Sequence, residues 1–462
     1  MSITKEYFDS LRGCSVAVIG MGVSNTPLIR MMLREGIKVT VCDRSPREKL
    51  AEQAAELESL GAKLYLGEDY LDKIHKFDVI FRTPGLSPNT PQLQKAVSKG
   101  CQLTSEMEVF FTLCPCPIIA VTGSDGKTTT TTLIAEFLKE AGHTVFVGGN
   151  IGKPLLPDVD GMTAQDFVVV ELSSFQLMTM EHSPHVAVFT NLSPNHLDYH
   201  HTMEEYTQAK MNIYWHQGPQ DRVIFNADND VTRSLSKNAP GVVTLFSRRQ
   251  RLEEGVCLRD DTIWLTNHMG SREVLPISMI RLPGVHNVEN YMAAIAAVDG
   301  LVPDKCVRAV AQRFTGVEHR MELVREVDGV RWFNDSIGSS PSRTIAGLRG
   351  FEEKVILIAG GYDKHIPFDE LGDEIIKRVK CLVLTGDTSQ KIRTAVEKAD
   401  GYDPQTLSIR QADDLADAVV LAAQASVQGD TVVLSPACAA FDQFKNFMER
   451  GNAFKSIVNR LV

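Results

Sequence analysis

The sequence predicts an α/β protein of three consecutive domains, and three observations carry that expectation. At 462 residues the chain is longer than one hydrophobic core usually serves. Short apolar runs of strand length recur along it, each ended by glycine or a polar residue and followed by a stretch of helical periodicity, the pattern of parallel sheets wound with helices. That pattern breaks and restarts twice, near 101–117 and near 315–320, which gives domains over 1–104, 105–316 and 317–462.

Composition narrows the class. Hydrophobic residues at 43% and charged ones at 23% describe an ordinary globular protein. A formal net charge of −10 with no basic stripe argues against nucleic acid as a partner, so a polyanionic ligand needs a local site. Residues 1–13 lack the apolar core of an export signal, and nowhere do roughly 18 apolar residues run together, so neither export nor a membrane partner is indicated and a cytoplasmic protein is expected. Of nine cysteines only Cys114 and Cys116 lie close, around Pro115. A lone C-x-C is weak support for metal, and free thiols in a reducing compartment are the simpler reading.

In the first domain, residues 15–20 read as a strand, followed by Met21, Gly22, Val23 and Ser24 and then a helical stretch over 26–35. Val39 to Cys42 form a second strand ending at Asp43, about twenty residues after the glycines, which is Rossmann spacing. Asn25 stands where the third fingerprint glycine would be. A looser loop of this kind suits the uridine and pyrophosphate of a sugar nucleotide better than a dinucleotide. Residues 77–81, followed by Thr83, Pro84 and Gly85, give a further strand and turn.

The second domain opens on 117–140, PIIAVTGSDGKTTTTTLIAEFLKE. Ile118, Ile119, Ala120 and Val121 make a buried-type strand. Gly123, Gly126 and Lys127 break it, and from Thr128 a helix follows with Leu133, Ile134, Phe137 and Leu138 on one face. A strand turning through glycines into a helix aims backbone N–H groups and the positive helix end at one place, a seat for phosphate. The Gly-x-x-Gly-Lys-Thr spacing is shorter than the usual phosphate loop, and position 121 is valine. In this reading Lys127 reaches the outer phosphates of a nucleotide and the Thr128 hydroxyl meets magnesium. The alternative is an ordinary βα turn that carries glycine and lysine.

Two more strand ends bear chemistry. Phe167 to Val170 end at Glu171, either a magnesium ligand beside the phosphate loop or a cap for the next helix. Val186 to Thr190 deliver Asn191, Asn195, His196 and Asp198 to the same edge, with His200 and His201 in the same loop. Most loop histidines are solvated, and His196 gains interest only from its position. The helix expected over 202–214, capped by Thr202, carries Met203, Tyr206, Ile213 and Tyr214 on one stripe with Lys210 at its centre. Either that lysine pairs with a carboxylate, or its amine is neutral and chemically used. Further on, 222–226 reads as a strand, and His286 and Asn287 read as a loop leading into a helix that bears Asn290.

The third domain repeats the strand-then-loop pattern four times, at 331–334 into Asp335, 355–359 into GGYDK with Lys364, 381–385 into Gly386 and Asp387, and 431–435 into SPACAAFDQFKNF. Its loops gather at one edge of a doubly wound sheet.

Taken together, TGSDGKTTT, GGNIGKPL, VVELSSFQL, TNLSPNHLDYH with QAK, PGVHNVEN, EHRME, NDS, GGYDK and SPACAAFDQFKNF run in the order found in the Mur ligases, which the chain resembles over almost its whole length. Within that family the likeness points to the members that add D-glutamate to UDP-N-acetylmuramoyl-L-alanine. It implies a Rossmann-like first domain for UDP, a central P-loop domain for ATP and a Rossmann-like last domain. The implied reaction is ATP-driven amide ligation through an acyl phosphate, by a monomer.

By residue, the resemblance implies ATP contacts from Gly123 through Thr129, with Asn290 at the adenine and Arg320 and Asp335 at phosphates and ribose. It implies two magnesium ions served by Thr128, Glu171, His196 and Lys210, the last as a carbamate, and it makes Lys127, Glu171, His196 and Lys210 the catalytic set. Ser24, Asp43, Gly85, Asn150 and His196 fall to the sugar-nucleotide substrate, and Lys364 and Phe447 to the amino acid. Two positions depart from the family's pattern, Ile337 where lysine is common after NDS and Ala440 where serine is common. Arg343 is a candidate for the missing charge. The D-N-P-R string of the diaminopimelate- or lysine-adding ligases does not occur, and a folylpolyglutamate synthetase would lack the first hundred residues. A switch ATPase and a non-catalytic UDP-binding module are the readings from other classes, and neither uses Lys210 on an apolar stripe.

Overall fold

The computed structural model describes residues 2–194, 197–282, 284–363 and 366–461, the side chains of Leu197 and Asp198 excepted. It holds three sheets within two compact units, residues 1–313 and 314–462.

The first sheet contains β1 (Val16–Ile19), β2 (Val39–Asp43), β3 (Lys63–Leu66), β4 (Val79–Phe81) and β5 (Gln102–Thr104). All pairs are parallel, in the order β3-β2-β1-β4-β5. The order reverses beside β1, which is where such sheets open a crevice at their C-terminal edge. Asp43 ends β2 at that edge, and the chain after β1 and after β4 brings Ser24 and Gly85 there. Strands β3 and β5 escape the sequence pattern because they lie at the sheet's borders and are only partly buried.

The second sheet holds nine strands: β6 (Ile118–Thr122), β7 (Val145–Gly149), β8 (Phe167–Glu171), β9 (Val186–Phe189), β10 (Arg222–Asn226), β11 (Val242–Ser247), β12 (Gly255–Arg259), β13 (Thr262–Asn267) and β14 (Gly270–Pro276). Their order is β14-β13-β12-β11-β10-β9-β6-β8-β7, parallel from β12 to β7, with β13 and β14 added as antiparallel hairpins. Strands β6, β8 and β9 are buried at every position, so their apolar runs are unbroken. Both sheets belong to one unit because they share a core, in which Val18 and Phe110 join Ile118, Val168 and Leu155. Asp160 adds a polar tie, accepting from Ser2 Oγ at 2.9 Å and from the Thr4 N–H at 3.1 Å.

The second unit is built on β15 (Glu322–Val327), β16 (Val330–Asn334), β17 (Val355–Ala359), β18 (Val379–Leu384), β19 (Ser408–Gln411) and β20 (Thr431–Leu434). The order is β15-β16-β20-β17-β18-β19, with only β15 antiparallel. The four strands expected from sequence are β16, β17, β18 and β20, flanked by two less buried ones. Among the described residues no helix is long and apolar enough to cross a membrane.

Candidate active site

The site is assembled where β6, β8 and β9 end side by side. After β6 the chain turns through Gly123 and Gly126 into a helix, Lys127–Glu140. Gly126 caps it in the left-handed region at φ 77°, and a Cβ there would lie 2.2 Å from Asn290 Oδ1. Asn290 is 6% exposed, and its Oδ1 also accepts from Thr130 Oγ1 at 3.3 Å while its amide reaches Asn287. The residue expected at the adenine therefore braces the back of the loop. His286 and Asn287, expected in a preceding loop, lie in the first turn of the helix Val285–Ala297.

From the other side β9 fastens the loop. The Asn191 side chain accepts from the Asp125 N–H at 3.0 Å, and the Asn191 carbonyl accepts from the Ser124 N–H at 3.0 Å. Ser124 Oγ bonds Ser193 and Tyr206. A loop gripped at each residue holds its backbone pointing one way without reorganisation, which a phosphate site requires.

Glu171 ends β8 and is 2% exposed. Thr128 Oγ1 donates to its Oε2 at 2.7 Å and the Asn150 amide to its Oε1 at 2.7 Å. The capping alternative fails here, because the following helix, Ser174–Leu177, is capped by Ser173 and Gln176. Asn150, assigned in advance to the substrate, is thus also what orients the carboxylate.

Lys210 lies in the helix Met203–Trp215, whose N-cap is Thr202 as the sequence predicts. It is 1% exposed, and its Nζ donates to Thr122 Oγ1 at 3.1 Å and to the Gly123 carbonyl at 2.8 Å. Lys127 Nζ donates to the same carbonyl at 3.1 Å and to that of Ser124 at 2.9 Å. Two amines on one oxygen cannot be farther apart than the sum of their distances to it, and two full positive charges at that range repel strongly. Among the described residues no carboxylate bonds Lys210. Burial first, and then the charge of Lys127, hold its pKa well below the usual lysine value, against the pull of Glu171 and Asp125. The Tyr206 ring, 4.9 Å from Nζ, favours the cation by about 1–2 kcal/mol. Removing an ammonium from water costs several kcal/mol, so burial wins. Of the two alternatives left open by the sequence, the neutral amine is the one that fits.

His196 and Lys364 lie outside the described residues, as does Asn195. His200 is not a solvated bystander: it is buried, its Nε2 lies 2.8 Å from Ser174 Oγ, and its ring stacks on Phe175. On the first sheet, Asp43 accepts from the N–H groups of Met21 and Ser45 and so shapes the turn after β1, Ser24 precedes the helix Asn25–Arg34, and the Cβ position of Gly85 is open.

In the second unit, Asp335 is buried and its pKa is pushed up to about 6, chiefly by that burial, against the Ser435 hydroxyl, the Met321 N–H, Arg320 and Arg343. Phe447 opens the helix Phe447–Val458, and its ring meets His319 edge-on at 5.9 Å. Arg450 on that helix was not legible in advance. It is buried and donates to Ser336 Oγ and to the carbonyls of Ser336, Cys438 and Ala439, pinning the NDS and SPACAA segments together. Ile337 and Ala440 sit on these segments, and Arg343 Nη1 reaches the Ile337 carbonyl at 3.3 Å.

Comparison with known proteins agrees across the chain. Residues 14–105 match the Mur ligase MurD-like N-terminal domain, 121–298 the Mur ligase middle domain and 319–438 the Mur ligase glutamate ligase domain. The chain is 50% identical over 458 residues to the UDP-N-acetylmuramoylalanine–D-glutamate ligase of Acetivibrio thermocellus, covering 99% of this chain and 98% of that protein. It is 49% identical over 456 residues to the ligase of the same name from Clostridium novyi, covering 99% of each.

The chain belongs to the Mur ligase family.

The fold agrees with solved Mur ligases. The UDP-N-acetylmuramate–alanine ligase of Thermotoga maritima superposes with a TM-score of 0.56 at 18% identity, over 96% of this chain and 99% of that one. Mur ligases use ATP and magnesium. The residues at the start of the helix after β6 and at the end of β8 suit such a metal, since the Thr128 hydroxyl beside the buried Glu171 carboxylate gives hard oxygen donors and leaves the remaining positions to phosphates and water. Among the described residues no group of three or more His, Cys, Asp or Glu gathers.

Proposed function

We propose that the chain joins the amine of D-glutamate to the alanyl carboxylate of UDP-N-acetylmuramoyl-L-alanine, cleaving ATP to ADP and phosphate, in the synthesis of a peptidoglycan precursor. The observation that carries the reading is identity near 50%, end to end, with ligases of that name. The carboxylate takes the γ-phosphoryl group to become an acyl phosphate, and the amine then displaces phosphate, so the site must bring anions together.

The residues divide that work. Lys127, now on two loop carbonyls, exchanges them for phosphate oxygens, and within the loop from Gly123 to Thr129 the backbone donors come from the helix start at Lys127, Thr128 and Thr129, since the Ser124 and Asp125 N–H groups are held by Asn191. Asn290 serves the nucleotide by holding Gly126 in place. Magnesium, held by Thr128 and Glu171 with His196, supplies charge neutralisation to the phosphates and the reacting oxygens. The neutral Lys210 amine attacks carbon dioxide, an N–C bond forms and a proton leaves to water, so that an uncharged amine becomes an anionic ligand suited to a second ion.

The sugar nucleotide falls to the loops bearing Ser24, Asp43 and Gly85 and to Asn150. Arg320 and Asp335 are assigned to ATP, and Lys364, Phe447 and Arg343 to D-glutamate. The three domains are read as 1–104, 105–316 and 317–462, in a monomer of the cytoplasm, where nine unpaired cysteines are at home.

The test is phosphate release with UDP-N-acetylmuramoyl-L-alanine, ATP, magnesium and each amino acid in turn. Release that depends on D-glutamate and on the sugar nucleotide is the expected result. Preference for another amino acid, or hydrolysis with neither substrate, would sink it.

A further inference from the structure

The most unusual charge outside the described site is Arg82. It follows β4 directly and is 1% exposed, yet among the described residues no carboxylate pairs with it. Burial lowers its pKa, and among the described residues its Nε has no hydrogen-bond partner. An uncompensated buried cation costs stability unless neutral dipoles surround it in good geometry. Here they do. Nη1 donates to the carbonyls of Thr83 at 3.3 Å, Pro84 at 3.1 Å and Leu86 at 2.7 Å, curling the turn around itself. Nη2 crosses to the second sheet's side of the unit and donates to the Phe175 carbonyl at 2.8 Å and Thr179 Oγ1 at 3.1 Å.

Those two acceptors belong to the short helix Ser174–Leu177 and the turn after it, three residues beyond Glu171. A second contact ties the same segments, since the Tyr199 hydroxyl reaches the Pro84 carbonyl at 3.4 Å and its ring meets Phe175 edge-on at 4.4 Å. His200, beside Tyr199, bonds Ser174. The turn assigned to the uridine diphosphate and the segment that follows the Glu171 strand end thus meet at one guanidinium, and the histidine loop packs against both. Its rigid fork gives each terminal nitrogen its own direction, which a lysine ammonium on a flexible stem does not reproduce.

We infer that Arg82 is a positioning residue that sets the distance between the loop holding the nucleotide end of the sugar-nucleotide substrate and the place where its carboxylate reacts. The inference rests on the proposed function. The substrate is long, with its diphosphate at one end and the reacting group at the other. A shift of about 1 Å between the two halves of its site leaves the nucleotide bound and the carboxylate misplaced, at a cost of about 10²-fold in rate.

Two variants test this, Arg82→Lys, which keeps the charge and loses the fork, and Thr179→Val, which removes one crossing acceptor and leaves the arginine. For each, kcat and KM are measured with UDP-N-acetylmuramoyl-L-alanine, together with KM for ATP and the inhibition constant of UDP alone. For Arg82→Lys the expected result is a kcat loss of about 10²-fold, with the UDP constant and the ATP KM within about two-fold of wild type. Thr179→Val shows the same split at smaller size and keeps the test open if the lysine variant does not fold. An unchanged kcat in Thr179→Val and in any folded Arg82→Lys, or a UDP constant that weakens in step with kcat, overturns the inference. A wild type that does not turn over the sugar nucleotide fails the proposed function instead.

Discussion

If Lys210 is held as a neutral amine, the protein's stability must carry a pH dependence that one substitution removes. Folding then strips a proton from this residue at every pH between its lowered folded pKa and the ordinary lysine value of 10.5. In that window the unfolded chain binds one more proton than the folded one, so stability rises with pH by about 1.4 kcal/mol per unit. In Lys210→Met that contribution is gone. The variant also loses two hydrogen bonds, to Thr122 Oγ1 and the Gly123 carbonyl, an offset of about 1 kcal/mol each that does not depend on pH.

Urea unfolding in buffer free of carbon dioxide, followed by tryptophan fluorescence, reads the difference, with Trp215 closing the lysine's own helix. Below about pH 9.5, and down to the lowered folded pKa, the stability of the wild type relative to Lys210→Met grows by about 1.4 kcal/mol for each unit by which the pH rises. A gap that stays flat over that range means a charged lysine in the fold, and the neutral-amine argument and the carbamate built on it both fall.

Other outcomes follow from the same geometry. Gly126→Ala places a Cβ 2.2 Å from Asn290 Oδ1 at a left-handed φ, and it raises the KM for ATP by about tenfold or more, while adding Asn290→Ala recovers part of the loss; an unchanged KM would show that the loop has slack. Arg343→Ala raises the KM for D-glutamate more than that for ATP, and equal effects on the two count against Arg343 as the substitute for a lysine at 337. Arg450→Met breaks four hydrogen bonds to Ser336, Cys438 and Ala439 and destabilises residues 314–462 by about 3 kcal/mol or more, with residues 1–313 unaffected; hydrogen exchange that slackens equally in both units would refute it.

What the sequence determined by itself was the material that lies close along the chain. The strand, glycine turn and helix around 118–140, Asp43 at the end of β2, Glu171 at the end of β8 and the Thr202 cap of the lysine helix are settled within a few residues by apolar period, backbone freedom and capping. The border strands β3, β5, β15 and β19 were not legible, since partial burial relaxes the apolar pattern.

Only the tertiary structure decided what the polar groups do. That Asn290 backs Gly126 across more than 160 residues of chain, that Asn150 and Thr128 share the two oxygens of Glu171, and that Arg82 and Arg450 each knot distant loops are facts of which backbone groups come to face each other. The charge of Lys210 belongs with them. A helical stripe could say that the lysine is buried, which is the larger cause of its lowered pKa, but the second amine at the Gly123 carbonyl, which adds to it, is brought there only by the fold.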